Sequence, residues 1–430
     1  MKNNNILQAV VMVLFLAMSV LLCFQPSKIE SATPQIIAEK EEKAEKEVIL
    51  NYYIWENEEA YIRPVIEAYE ALNAEVIINL HIVDADLYDK SLEHILSGEN
   101  QADLVGVRET SHMASLAEEG YLLDVTDYIS NYALEVEAYG NMFNEIEING
   151  RYYGIPTRST CWILLYNKEI FDKKGIPYPE QMTWEEYGEL AILLTDKEGE
   201  KTWGGYLPPW CFNFTAIQKS SYLMDDNLKE TENALRLLNQ FYNLDKSHVS
   251  YKESATQRES LSGLFKQGHI AMMPQGEWMI NMLMEKNKEG EANVRWGIAP
   301  MPVPDEEDAG TTWGQYQFAC ISSRTDNPEE AFRFLSFLCG EEAARIYARN
   351  GMVHAYSTEE IKKIYADTVG EDIAEIVYRA KRKQEQPAIP EYHEILDMFE
   401  TCAHNYLMGN CDLAAAIEEF DILRKQVYQK

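Results

Sequence analysis

The side chains best suited to chemistry in this 430-residue chain are tryptophans, carboxylates, amides and arginines at predicted strand ends or in loops. Aromatic rings offer flat apolar surfaces, while carboxylates, amides and guanidinium groups form paired hydrogen bonds. A site that combines both kinds of side chain can bind a small ligand that has apolar faces and polar edges. The candidate ligand-binding residues are Trp55, Glu56, Arg108, Glu109, Arg158, Trp162, Trp210, Gln275, Glu277, Trp278, Trp313, Gln315 and Tyr316.

Each candidate also has a purely structural interpretation. A tryptophan is more often buried for packing than exposed to a ligand. For Arg108 and Glu109, an internal ion pair is as reasonable as a ligand contact. The sequence alone leaves these alternatives open.

The sequence lacks the motifs of the common enzyme classes. No phosphate loop, GxGxxG, GxSxG or HExxH pattern is present, which removes the usual nucleotide, hydrolase and zinc-protease mechanisms. The eight histidines are scattered, and the six cysteines after Cys23 show no CxxC spacing. Those cysteines are either small buried thiols or disulfide partners. We predict a protein with no catalytic residues, no cofactor and no metal.

The charge balance restricts the partners. Lys and Arg number 38 against 71 Asp and Glu, a formal net charge of −33. Such a surface repels phosphate backbones and anionic lipids, so nucleic-acid binding is not expected, and membrane contact is expected only through the N-terminus. An acidic surface also serves solubility, so it does not identify the ligand.

The N-terminus indicates export. An apolar run of 19 residues, Ile6 to Phe24, lies between a signal-peptide core and a spanning helix in length, so 1–24 is a signal peptide or a membrane anchor. Cys23 resembles the lipid-modified cysteine of bacterial lipoproteins, although Leu22 stands where a small residue is preferred. The charged residues 25–46 predict a linker. The protein is expected at the outer face of the cytoplasmic membrane or secreted.

The mature chain opens with alternating strands and helices. Apolar periodicity predicts strands at Val48–Trp55, Glu75–Val83 and Ala102–Val107, with helices between them. This order predicts an α/β fold with a parallel sheet, in which ligands bind beyond the carboxyl ends of the strands.

A second alternation follows, with strands predicted at Tyr152–Pro156 and Cys161–Asn167. Later helix starts carry capping signals, in which a side chain satisfies the free amides of the first turn. The signals are Thr183 with Glu186, Asn327 with Pro328, and Ser357 with Glu360.

Three stretches together resemble the extracellular solute-binding proteins of sugar ABC transporters, the family that includes maltose-binding protein. They are ADLVGVRETSHMASLAEEGYLLDVTDYI at Ala102–Ile129, INGRYYGIPTRSTCWILLYNKEIFDKKGIPYPEQMTWEEY at Ile148–Tyr187, and FKQGHIAMMPQGEW at Phe265–Trp278 with WGIAPMPVP after it. Their order and spacing also match the family.

The resemblance implies two lobes, each a mainly parallel sheet flanked by helices, joined by a hinge. Lobe 1 is expected to comprise 47–156 plus 303–351, and lobe 2 to comprise 157–302 plus 352–430. The crossings between lobes are expected near Gly154–Thr157, Ala299–Pro302 and Gly351–His354.

The same resemblance implies that the protein binds a sugar, expected to be an oligosaccharide, between the lobes and delivers it to an ABC transporter permease. Gly276-Glu277-Trp278 matches the family segment that places an aromatic ring over the sugar. A monomer without enzymatic activity is expected. The alternatives are a secreted glycoside hydrolase, which needs two carboxylates across a sugar cleft, and a ligand-sensing subunit for a membrane receptor.

Overall fold

The computed structural model describes residues 47–98, 101–198, 201–256, 263–289 and 294–428. The predicted signal peptide or anchor, the linker and Cys23 lie outside these residues. Within the described ranges, no helix is long and apolar enough to cross a membrane.

The described residues form eleven strands. They are β1 Val48–Trp55, β2 Val76–Val83, β3 Leu104–Val107, β4 Ile155–Ser159, β5 Trp162–Asn167, β6 Trp203–Gly205, β7 Ile270–Gly276, β8 Trp296–Ala299, β9 Thr311–Gly314, β10 Tyr316–Ile321 and β11 Lys381–Gln384.

The α-helices of these same ranges connect and cover the strands. They are α1 Glu59–Leu72, α2 Tyr88–Ser97, α3 Thr110–Glu118, α4 Thr126–Asn131, α5 Met142–Ile146, α6 Lys168–Lys174, α7 Trp184–Leu194, α8 Phe214–Gln218, α9 Lys229–Asn239, α10 Tyr251–Thr256, α11 Trp278–Glu289, α12 Pro328–Leu338, α13 Glu341–Arg349, α14 Glu359–Val369, α15 Glu371–Arg379, α16 Pro390–Leu407 and α17 Leu413–Val427.

Two sheets form the centres of the fold. The first has the strand order β2-β1-β3-β10-β4, and the second has the order β6-β7-β5-β8. Strand β10 is antiparallel to both of its neighbours in the first sheet, and β5 is antiparallel to both of its neighbours in the second. Each sheet is therefore mainly parallel in direction with one reversed strand, and the predicted α/β fold of helix-flanked sheets is confirmed. We call the parts built on these sheets the first and second lobes.

Strand β5 shows how the second sheet is buried on both faces. Its residues are all buried, and successive side chains point to opposite faces of a sheet. Ile163 and Leu165 join one hydrophobic cluster, while Trp162 and Leu164 join the other. A strand covered on both sides reads as a continuous apolar run, which is why WILLYN has no polar alternation.

A small parallel pairing between β9 and β11 lies apart from the two main sheets. Gly314 at the end of β9 accepts a hydrogen bond from the Glu385 amide, and the Gln315 carbonyl accepts one from the Thr160 amide. These bonds bring the segment after β11 close to the chain crossing between β4 and β5. The lobe boundaries expected from the sequence remain predictions.

The predicted strands are largely confirmed, but of the three predicted capping signals only Thr183 with Glu186 forms its hydrogen bonds. Strand β1 has the predicted bounds, and α7 begins with the predicted capping box of Thr183 and Glu186. Pro328 lies at the start of α12, but the side chain of Asn327 makes no capping hydrogen bond.

The predicted capping box of Ser357 and Glu360 is wrong. The cap of α14 is Thr358, whose side chain accepts a hydrogen bond from the Ile361 amide. The reason is the helix start: α14 begins at Glu359, so its cap lies one residue later than the Ser-x-x-Glu pattern suggested.

The cysteines of the described ranges are free thiols. Five of the six are buried, and Cys411 is half-buried. The structure supports small buried thiols, and not disulfide partners, as the interpretation of these cysteines.

Candidate functional site

The ends of parallel strands β1, β3 and β4 bring polar side chains to one edge of the first sheet. Arg158, near the end of β4, is the central group, and its side chain is only 3% exposed. Its Nη1 donates to Glu58 Oε1 at 3.0 Å, and its Nη2 donates to Glu277 Oε1 at 2.7 Å. Glu58 follows β1 and Glu277 follows β7, so this buried triad joins the two lobes.

The triad is held by further bonds and by its charges. The second oxygen of Glu277 accepts a hydrogen bond from the Cys161 amide at 2.9 Å. Burial raises the pKa of both Glu58 and Glu277, and the Arg158 charge opposes that shift. Burial alone would lower the pKa of Arg158, but the two carboxylates outweigh it and the net shift is upward. Arg158 therefore stays a cation in the folded protein.

Arg158 was predicted as a ligand contact, and both of its terminal nitrogens are engaged by glutamates. Its Nε is buried and has no hydrogen-bond partner. Glu58 was not predicted as a site residue. Glu56, the first residue after β1, was predicted in its place because ligands are expected at strand ends. Glu56 is exposed, and the 3-10 turn Glu56–Glu58 turns Glu58 inward.

Arg108 and Trp55 lie together at the ends of β1 and β3. Trp55 is 5% exposed, and the Arg108 guanidinium lies 5.3 Å from the centre of its ring. Arg108 also pairs with Asp89, with Nη2 to Oδ2 at 2.5 Å. The internal ion pair of the structural interpretation therefore exists for Arg108, with Asp89 as its partner.

Three predicted tryptophans pack against one another. The rings of Trp162 and Trp313 are stacked at 5.1 Å, and Trp278 meets Trp162 edge to face at 5.9 Å. Trp162 and Trp313 are buried, whereas Trp278 is half-buried. A Cβ at Gly276 would lie 1.8 Å from the Trp278 ring, so only glycine allows this ring position. Trp278 is the member of this cluster with surface left for a ligand.

The remaining aromatic and amide candidates differ in accessibility. Trp210 follows Pro208-Pro209 and is 39% exposed. Tyr316 is buried, donates to Glu145 Oε2 at 2.6 Å and carries the Arg382 guanidinium 4.1 Å above its ring. Gln275 is buried, and its side-chain oxygen accepts from the Gly276 amide. Trp210 is thus the most accessible of the predicted aromatic residues.

A second polar cluster lies where α3 of the first lobe packs against α16 of the second. Glu109 precedes α3 and lies 3.8 Å from His393 Nδ1 on α16, and these side chains are 30% and 29% exposed. The ring of His393 stacks on that of His112 at 4.4 Å with an interplanar angle of 2°. Glu385 is close enough for its charge to repel that of Glu109. We call Glu109, His112, Gln315, Glu385 and His393 the cleft cluster.

The protonation of the cleft cluster is strongly perturbed. Burial, followed by the charges of Glu109 and Glu400, raises the pKa of Glu385 to about 8. Burial also raises the pKa of Glu109. Burial and the neighbouring His393 lower the pKa of His112 to about 3. Perturbed groups in a cleft indicate a functional site.

Glu109 and Gln315 of this cluster were predicted, and His112, Glu385 and His393 were missed. Strand β11, which positions Glu385, reads KRKQ and has no apolar residue to mark it as a strand. The rings of His112 and His393 stack although 281 positions separate the two residues in the sequence. No local pattern in the sequence identifies such a pair.

A cavity of about 380 Å³ lies beside Trp162. It is lined by Trp162, Ile163, Met301, Thr312, Ile376 and Arg379, among others. Among the described residues, no group of three or more His, Cys, Asp or Glu side chains is placed to hold a metal ion.

The fold and site together define a two-lobed α/β binding protein with polar groups from both lobes at the cleft. A family model described as bacterial extracellular solute-binding protein matches residues 55–345. The chain belongs to this family.

Similar chains include a solved sugar transporter and a curated oligosaccharide-binding protein. A sugar transporter from Rhizobium etli, solved in an open conformation, is 28% identical, with 88% of this chain and 99% of that chain covered and a TM-score of 0.74. An ABC substrate-binding protein from Listeria monocytogenes in complex with cycloalternan is 24% identical, with 88% and 99% covered and a TM-score of 0.77. The arabinooligosaccharide-binding protein of Halalkalibacterium halodurans is 23% identical over 58% of this chain and 57% of its own length.

Proposed function

We propose that this protein captures a sugar, in particular an oligosaccharide, between its lobes and delivers it unchanged to the permease of an ABC importer. The cleft cluster is the observation that carries this proposal. In this cluster, Glu109 and His112 of the first lobe lie against His393 of the second lobe. Glu385 is close enough to Glu109 for their charges to interact. Hydrogen-bonding groups on two facing lobes can surround a polyhydroxylated ligand.

Aromatic surface supports the same ligand class. Trp210 is 39% exposed and is followed by Cys211, whose thiol is close enough to Glu385 to feel its charge. Trp278 offers a half-buried ring beside the triad. A flat aromatic face stacks on sugar C–H groups, so these two rings are the proposed stacking contacts.

The family and the apolar N-terminal sequence support an exported protein. We place the protein outside the cytoplasmic membrane as a monomer, held by residues 1–24 or by a lipid on Cys23, or released by cleavage. Delivery requires permease subunits as partners. The two-lobed fold suits this role because closure around the ligand changes the surface that a permease contacts.

A glycoside hydrolase is the rival function because it needs two neighbouring carboxylates, and Glu109 and Glu385 are close enough for their charges to interact. The two functions differ in what happens to the sugar. We would incubate the exported part with an oligosaccharide panel, record ligand-induced shifts in melting temperature, and analyse the sugars by mass spectrometry. A saturable shift with intact sugar supports a binding protein, whereas shortened sugar that disappears with Glu385→Gln supports the hydrolase.

Delivery is tested separately in cells. Deleting the gene should abolish accumulation of the labelled sugar identified in vitro, and a copy on a plasmid should restore it. Accumulation that continues unchanged in the deletion strain would contradict the importer role and favour the sensing subunit.

A further inference from the structure

The cleft cluster is rich in hydrogen-bond acceptors. Gln386 and Gln315 lie close enough to Glu109 and Glu385, respectively, to lower the pKa of those carboxyl groups. A carboxylate offers about four lone-pair positions, so both retain acceptor capacity. The side-chain oxygen of Gln315 is buried without a hydrogen-bond partner. The cluster therefore has unoccupied acceptor positions to which a donor group of a ligand can bind.

The two histidines of the cluster add ring nitrogens that have no hydrogen-bond partner. Nδ1 of His112 is buried without a hydrogen-bond partner, and the residue is 5% exposed. His393 Nδ1 also lacks a hydrogen-bond partner, and the low pKa of His112 keeps at least that ring neutral. A buried polar nitrogen without a partner destabilises the folded protein, and a hydrogen bond to a ligand would remove that cost.

The nearest arginines are committed elsewhere. Arg108 pairs with Asp89 and covers the Trp55 ring. Arg382 bonds to the Tyr316 hydroxyl and lies 3.5 Å from Glu145. Both therefore share their charge with other groups. Gln384 Nε2 donates to Thr110 Oγ1 at 2.6 Å and Ser111 Oγ donates to Gln386 Oε1 at 2.5 Å, so the segment that carries Glu385 lies against the start of α3, next to Glu109.

We propose that the sugar bound by this protein carries a protonated amine, and that this ammonium group lies between Glu109 and Glu385. The inference rests on the proposed function and narrows its ligand class. An ammonium group supplies three donors, no acceptor and one positive charge, whereas a hydroxyl supplies one donor and further acceptors. Hydrogen bonds between charged partners are about twice as strong as those between neutral ones, so the amine gains most from this cluster.

Paired ligands test the amine directly. We would measure dissociation constants by calorimetry at pH 7 for glucosamine and glucose, galactosamine and galactose, mannosamine and mannose, and the β-1,4-linked glucosamine disaccharide and cellobiose. In the pairs that bind, the aminated sugar should bind about tenfold tighter than its neutral partner. Equal or tighter binding of the neutral sugars would overturn the inference and leave the proposed function standing.

Matched variants locate the effect. Glu109→Gln and Glu385→Gln should bring the ratio between aminated and neutral sugar towards one. Glu391→Gln removes the same charge from an exposed position on α16 and should leave the ratio unchanged. A ratio that persists in both cleft variants would overturn the placement of the amine, and unliganded melting temperatures would verify that each variant is folded.

Proton release gives an independent reading. An ammonium group should displace the proton that Glu385 holds at pH 7, so the binding heat of the aminated sugar should vary with the ionisation enthalpy of the buffer. A neutral sugar should show no such variation, and neither sugar should in Glu385→Gln. Binding of no sugar, aminated or neutral, would instead contradict the proposed function itself.

Discussion

At the scale of residues, the protein relies on buried charges that are paired across the cleft. Arg158 is shared by Glu58 and Glu277, and all three side chains are at most 7% exposed. Desolvation makes such a group costly unless every charge has its partner. The triad therefore couples the position of one lobe to that of the other. Removing one member should lower the free energy of unfolding by more than removing all three.

We predict that Arg158→Met lowers the free energy of unfolding by about 3–5 kcal/mol, because it leaves two carboxylates buried without a cation. Urea denaturation measures this loss. Arg151→Met is the control, since Arg151 is 61% exposed and pairs with Asp124 at the surface, where a salt bridge contributes about 0–1 kcal/mol.

The triple variant Glu58→Gln, Arg158→Met, Glu277→Gln should recover part of the loss, because it buries no unpaired charge. If Arg158→Met and Arg151→Met were equally stable, the triad would not be a buried, coupled unit.

A second prediction concerns Glu385 and pH. The pKa of Glu385 is about 8 in the folded protein, whereas the pKa of a glutamate in the unfolded chain is near 4.5. The folded state thus binds the extra proton between these values, so the Glu385 contribution to stability is lost as the pH rises from about 5 to 8.

Glu385→Gln should therefore show a smaller decrease in melting temperature between pH 5 and 8 than the wild-type protein. Thermal denaturation of the unliganded protein at several pH values measures the slope. Glu391→Gln, on the exposed face of α16, should keep the wild-type slope. Identical slopes in all three proteins would contradict a half-buried Glu385 that holds its proton at neutral pH.

At the scale of elements, the sequence predicted the fold well where apolar periodicity was strong. Strand β1 and helix α7 match the predicted positions because each has a regular apolar pattern or a complete capping box. Strand β11 was not predicted because its stability comes from pairing with β9 and not from its own residues KRKQ. Tertiary context overrides local propensity in such short strands.

The cap of α14 offers a matched test at this scale. Thr358→Ala removes the side-chain acceptor of the Ile361 amide and should cost about 0.5–2 kcal/mol of stability. Ser357→Ala, one residue earlier, removes a hydroxyl that has no hydrogen-bond partner and should cost less. Urea denaturation of both variants decides between them. A larger loss for Ser357→Ala would restore the cap predicted from the sequence.

At the scale of the whole molecule, the site could not be assembled from the sequence because its residues come from distant segments. The sequence predicted Glu109 from its place after a strand, but Glu385 and His393 reach it only through the packing of α16 on α3. The predicted Trp162 and Trp313 lie in the core, where the abundance of aromatic residues conceals which rings face the cleft.

Another contact between the lobes involves Asn281 of α11. Its side-chain oxygen accepts from the Tyr61 hydroxyl of α1 at 2.6 Å, and its nitrogen donates to the Asn350 carbonyl. Asn281→Ala should loosen the lobes and increase the radius of gyration of the unliganded protein in small-angle X-ray scattering. Asn233→Ala, on the exposed face of α9, should leave it unchanged. An unchanged radius in Asn281→Ala would show that this contact does not hold the lobes together.

The central claim, reversible capture of a sugar between the lobes, is tested most directly by titrating the exported part with mono- and oligosaccharides while recording tryptophan fluorescence and melting temperature. Binding to the folded state must raise its stability, by about 2.7 kcal/mol at a hundredfold excess of ligand over its Kd. We predict a saturable shift with one class of sugar, which mass spectrometry recovers intact. Cleavage of the sugar, or shifts only with ligands that are not sugars, would contradict the account.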